Sequence, residues 1–159
     1  MPRLPEAEDP WPDERLWPRL LEAAGDSPTP WRDRALLHLF WHAGLRVPDA
    51  LGLALGDVDF LSGRVRWGTG QEARLPPEAL AALTAYVSLE RRGRPGWLFA
   101  DRRGRPLGRP AVARLFRRLA RASGVPVTPE ALRLRALERL LGRDPLAALA
   151  AVRGAARGA

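Results

Sequence analysis

Between residues 30 and 43 the apolar positions Ala35, Leu36, Leu39, Phe40 and Ala43 recur at helical spacing, and Gly44 follows them as a residue suited to a left-handed C-terminal stop. Helix starts are marked by a capping residue followed by proline at the first helical position, as Thr29-Pro30, Thr128-Pro129 and Asp144-Pro145. A short helix is expected over 48–54. The period then changes, and residues 58–60, 64–67 and 73–75 read as three short strands joined by turns at Ser62-Gly63 and Gly68-Thr69-Gly70. Residues 77–91 return to helical spacing with Leu80, Leu83, Tyr86, Val87 and Leu89 as the apolar side. A loop rich in Arg, Gly and Pro follows over 91–110, broken by the apolar Trp97-Leu98-Phe99. Further helices are expected over 110–123, closed by Gly124, and from Pro129 and Pro145. Residues 13–24 also read as helical, with Pro18 inside the segment. The pattern predicts a mainly α fold with a small three-stranded antiparallel sheet and no internal repeat.

A length of 159 residues fits one domain with its own core. With no cysteine in the chain, disulfides and thiolate metal sites are excluded. No apolar run approaches the roughly 20 residues that span a bilayer. The first ten residues are polar and proline-rich, unlike a secretory leader, so the expectation is a cytoplasmic protein. The net charge is +8 and all 26 basic residues are arginine. Such an excess points to a polyanionic partner, because arginines on phosphates release counterions. Codon bias in a chain built from Ala, Arg, Gly, Leu and Pro accounts for it equally well, and the placement of the arginines has to decide.

Placement favours phosphate at two points. Arg114, Arg117, Arg118 and Arg121 fall three or four apart and share one face of the 110–123 helix, with Leu115, Phe116 and Leu119 toward the other. The loop arginines Arg91, Arg92, Arg94, Arg102, Arg103 and Arg105 are further backbone-phosphate candidates, a kind of contact that positions nucleic acid without reading its bases. Other features read as packing. Tyr86, the one tyrosine, lies mid-helix among Leu83, Val87 and Leu89 and reads as a core aromatic. His38 and His42, four apart, lack a third ligand at metal-site spacing. Neither a metal nor another cofactor is expected.

The segment Gly44-Leu45-Arg46 with Asp49, followed by Leu55-Gly56-Asp57-Val58-Asp59, resembles the first active-site element of the tyrosine recombinases, the phage-integrase family. The likeness runs from about Trp17 to Gly154 and implies the catalytic domain of that family, here expected as a single domain over 1–159 with its core at about 13–154 and no N-terminal core-binding domain. By the resemblance, Arg46 is the first phosphate-clamping arginine. The hairpin 64–76 is similar to the family's Gly-Lys-Gly-x-Lys-x-Arg-x-x-Pro, and Thr69 stands where the catalytic lysine is expected. Glu130-Ala131-Leu132-Arg133-Leu134 is similar to His-x-Leu-Arg-His. It keeps the second arginine as Arg133 but carries Glu130 and Leu134 at the histidine positions. Ala155 takes the place of the third histidine, and the nucleophilic tyrosine is expected about nine residues later, beyond Ala159.

The family's reaction needs a tyrosine hydroxyl to attack the phosphodiester, arginines to stabilise charge on phosphorus, and a lysine or histidine to protonate the leaving oxygen. Arginine is a poor proton donor because it stays protonated. The expectation is therefore a DNA-binding recombinase-like protein, inactive alone, that grips double-stranded DNA non-specifically through Arg46, Arg133, Arg114, Arg117, Arg118 and Arg121. Two alternatives stay open: a recombinase subunit completed in trans by a full-length recombinase, and a protein-interaction domain reusing the fold. Arg46 and Arg133 carry an alternative of their own, as ion-pair partners of Asp49 and Glu130.

Overall fold

A computed structural model describes residues 14–92, 94–143 and 146. Helix α1 (Leu16–Gly25) places Pro18 in its first turn, where the missing N–H has no intrahelical acceptor to lose. Helix α2 (Pro30–His38) runs on into a π-helical turn, Leu39–Ala43, and stops at Gly44 with φ +67°. A Cβ at Gly44 would meet the Ala136 Cβ at 3.4 Å, so the stop also permits close approach of a later helix. The α2 N-terminus is capped differently from the sequence expectation. Glu90, from the end of a distant helix, accepts from the Trp31 and Arg32 N–H groups at 2.8 and 3.3 Å, while the Thr29 hydroxyl turns to Asp33.

The helix expected over 48–54 is shorter, α3 (Val47–Leu51), and is followed by a 3-10 turn at Leu55–Asp57. The sheet has order β1 (Val58–Asp59), β2 (Arg64–Trp67), β3 (Gln71–Arg74), all antiparallel. Strand β3 begins two residues earlier than the apolar pattern indicated. The reason is the tight Gly68-Thr69-Gly70 turn, which pairs Trp67 directly with Gln71. Helix α4 (Pro77–Leu89) buries Ala79, Leu83 and Tyr86. Leu89, expected on its apolar side, is instead exposed at the helix end. Helix α5 (Arg109–Ser123) ends at Gly124, also left-handed, and α6 (Pro129–Arg143) starts on Thr128, whose hydroxyl accepts from the Ala131 N–H at 3.1 Å. The helix expected from Pro145 lies outside the described residues.

The helices enclose one core. Helix α2 packs against α1 and α4, α1 against α5, and α6 against the π turn. Leu20, Leu36, Leu37, Phe40, Leu83, Leu98, Phe99, Leu115 and Leu119 are fully buried at its centre. Tyr86 belongs to it, stacked on Phe99 with its hydroxyl donating to the Leu98 carbonyl at 2.8 Å. Burial raises its pKa above the ordinary value. His38 and His42 are also packing residues, stacked on each other and set edge-on to Trp17, which lies flat on Trp41. Burial and the neighbouring His42 lower the His38 pKa to about 4, so the ring is neutral at physiological pH. Among the described residues, no helix is long and apolar enough to cross a membrane.

Candidate nucleic-acid interface

The chain reversal at Gly44 delivers Arg46 to the N-terminus of α3. There its backbone N–H and guanidinium both bind Asp49, with Nε to Oδ2 at 3.0 Å and Nη2 to Oδ1 at 3.2 Å. Asp49 thus caps α3 and orients Arg46 at once. Hydrogen bonding to Asp49 raises the Arg46 pKa, burial opposes it, and the charges of Asp49 and Glu130 add to the rise.

Glu130 reaches this groove because the α6 N-terminus packs beside the Gly44 reversal. A groove of about 320 Å³ is lined by Leu45, Arg46, Val47, Thr128, Pro129 and Glu130. Arg133, one turn further on α6, is turned onto Glu130 at 3.1 Å and is only 12% exposed. Its Nε is buried without a hydrogen-bond partner among the described residues. Arg133 is thus paired with Glu130, and it is Glu130, not Arg133, that lines the groove with Arg46. Of the other positions of the expected chemistry, Thr69 is exposed at the tip of the β2–β3 hairpin and Leu134 is half-buried on α6. Ala155 lies outside the described residues.

Helix α5 divides as the pattern predicts, with Leu115, Phe116 and Leu119 buried and Arg114, Arg117 and Arg121 exposed. With Arg118 these arginines line an open concavity of about 340 Å³. Arg114, Arg117 and Arg121 have no ion pair among the described residues, whereas Arg118 reaches 3.6 Å from Asp33. Asp33 is fully buried in α2, and its other oxygen binds Arg32 at 2.9 Å. Sequence reasoning missed Asp33 and Arg32. The signal was present, since an acidic residue three and four positions before Leu36 and Leu37 sits on the apolar stripe of its helix.

Among the loop arginines, Arg91 is corrected to a structural role. It is buried, donating from Nε to the Trp97 carbonyl at 2.8 Å and from Nη1 to the Arg94 carbonyl, and so it holds the loop against the core rather than facing a ligand. Arg105 pairs with Asp101 at 3.0 Å. Arg92, Arg94, Arg102 and Arg103 are exposed.

A helical domain carrying a three-stranded insert after its first arginine turn is the fold of recombinase catalytic domains. The crystal structure of XerA recombinase superposes with TM-score 0.76 at 23% identity, covering 91% of this chain and 53% of that one. The Tn1549 transposon integrase, solved in complex with circular intermediate DNA, superposes with TM-score 0.71 at 17% identity over 92% of this chain and 58% of its own. The phage integrase family model matches residues 13–154, and the chain belongs to that family. Tyrosine recombinase XerC of Azotobacter vinelandii is 38% identical over 136 residues, 73% of this chain and 46% of the relative. The chain spans about half the length of the curated relatives it matches.

Proposed function

We propose that this chain is a recombinase-like module that binds duplex DNA through phosphate contacts and does not break the strand unaided. The observation that carries the reading is Glu130. It lines the groove beside Arg46 and holds Arg133 in an ion pair, so of the two arginines that would stabilise a pentavalent phosphorus the second is already engaged by a carboxylate standing at a histidine position. A phosphate entering there meets a carboxylate as well as a guanidinium. Proton delivery is missing at the same positions, because Leu134 has no proton to give and Thr69 is an alcohol at a hairpin tip rather than an ammonium. Members of such a catalytic set act as a unit, and losing several removes orders of magnitude in rate.

Binding survives this loss. The exposed face of α5 offers arginines that are not engaged by carboxylates among the described residues, and contacts to phosphate alone give affinities of about 10⁻⁴ to 10⁻⁶ M that fall steeply with salt. Relatives named as tyrosine recombinases and a fold shared with a DNA-bound integrase support duplex DNA as the partner.

The test is a nicked suicide duplex incubated with the protein. Salt-dependent binding to any sequence without a covalent adduct is expected. An adduct formed by the protein alone overturns the inactive reading. An adduct on this chain that appears only when a full-length recombinase is added replaces it with a subunit completed in trans.

A further inference from the structure

Asp33 is a carboxylate with no exposed surface in the first turn of α2, and its partners come from two elements. Oδ1 accepts from Arg32 Nε and Nη2, both at 2.9 Å, and from the Thr29 hydroxyl at 3.3 Å. Oδ2 has no hydrogen bond among the described residues, and Arg118 Nη1 of α5 lies 3.6 Å from it. A buried charge of this kind is tolerated only when cations are held against it. Arg32, 20% exposed, is held on Asp33 by a hydrogen bond, and Arg118, 41% exposed, is drawn by charge to 3.6 Å from it, while part of each side chain faces outward.

They face a cavity of about 220 Å³ lined by Pro28, Thr29, Arg32, Arg114 and Arg118. Three guanidiniums against one carboxylate leave a formal excess of two positive charges around it. The helix terminus is not the attraction, because the Trp31 and Arg32 N–H groups are already occupied by Glu90. A larger cavity next to it shares Arg32 but is lined also by Glu90 and Asp101, which disfavours an anion there. The small cavity shares no residue with the Arg46 groove.

We propose that Arg32, Arg114 and Arg118 form a phosphodiester subsite separate from the Arg46 groove, and that Asp33 is its positioning residue. This rests on the DNA-binding reading above and assigns that reading a location. Asp33 itself touches no ligand. Its work is to hold two guanidiniums at a fixed separation, so that the backbone phosphate meets donors already oriented.

Charge and positioning predict opposite signs for Asp33→Asn. The substitution raises the net charge by one, which by itself tightens DNA binding. If Asp33 positions the arginines, binding to a labelled 20-base-pair duplex weakens instead, by about fivefold, the scale of coupling between contacting residues. Adding Asp33→Asn to the Arg32→Gln/Arg118→Gln double variant should then weaken binding no further. Arg32→Gln should make the slope of log affinity against log salt shallower by about 0.9, one phosphate contact. Should Asp33→Asn fail to fold by circular dichroism, Arg32→Gln and Arg118→Gln carry the test. The subsite is overturned if folded Asp33→Asn binds more tightly, or if Arg32→Gln leaves the slope unchanged while the wild type binds DNA. A wild type with no salt-dependent binding removes the DNA reading itself, a distinct result.

Discussion

Replacing Glu130 by Gln should strengthen DNA binding while weakening the fold. The side chain is 62% exposed and bonds Arg133 at 3.1 Å, so solvent screens it heavily. A phosphate about 4 Å from this carboxylate is repelled by about 1 kcal/mol at the dielectric of water, and by up to about 4 kcal/mol at the effective value for protein surfaces. With this exposure the lower figure applies, and the gain on removal is about fivefold in affinity. Arg133 also becomes available to phosphate, which should steepen the salt slope by about 0.9. Against this, an exposed ion pair contributes about 0–1 kcal/mol and an acidic group in a helix first turn about 0.3–1 kcal/mol. The melting temperature should therefore fall by about 2–4 °C. The assay is fluorescence anisotropy with duplex DNA from 50 to about 200 mM salt, beside thermal melts. A Glu130→Gln protein with unchanged affinity and slope would refute the claim that this carboxylate obstructs the groove.

Three further outcomes follow from the core. The lowered His38 pKa makes the neutral ring part of the fold, so its contribution is complete above 6.5 and lost as pH falls toward about 4, a loss of about 3 kcal/mol. Melts across that window should show the decline, and His38→Gln should flatten it. Tyr86→Phe removes the donor to the Leu98 carbonyl and should lower stability by about 1–2 kcal/mol in urea titrations without altering DNA affinity, whereas lost binding would contradict a purely structural tyrosine. Gly44→Ala forces a side chain into φ +67° and should destabilise the protein by about 1–2 kcal/mol, read from the denaturation midpoint.

Helix positions were legible because proline and glycine punctuate this chain at positions with a local cause, as Thr128-Pro129 and Gly124 do. The strand shift at Gln71 was not, because the register is set by the two-glycine turn and not by the apolar residues beside it. The family resemblance pointed to Arg46 and Arg133, and the structure adds what neither position carries by itself, namely that Glu130 pairs with Arg133 and lines the groove beside Arg46. Which arginines face outward was also hidden. Arg91 and Arg118 look like their neighbours in sequence, yet their partners, the Trp97 carbonyl that accepts from Arg91 and the Asp33 charge near Arg118, are reached only through loop closure and helix packing.

The attachment of α6 to the π turn has a temporal consequence. Arg139 bonds the Trp41 carbonyl at 2.5 Å across 98 positions of sequence and lies 4.1 Å from the Trp41 ring centroid. Contacts so distant along the chain form late, after their loop-closure entropy has been met. During synthesis α1 to α5 are made before Glu130 and Arg133, and the partner of Arg46 within its own turn is Asp49. A chain made only as far as α5 carries Arg46 and Asp49 but no carboxylate from α6 for their groove. The opposing charge is installed only when the last described helix docks.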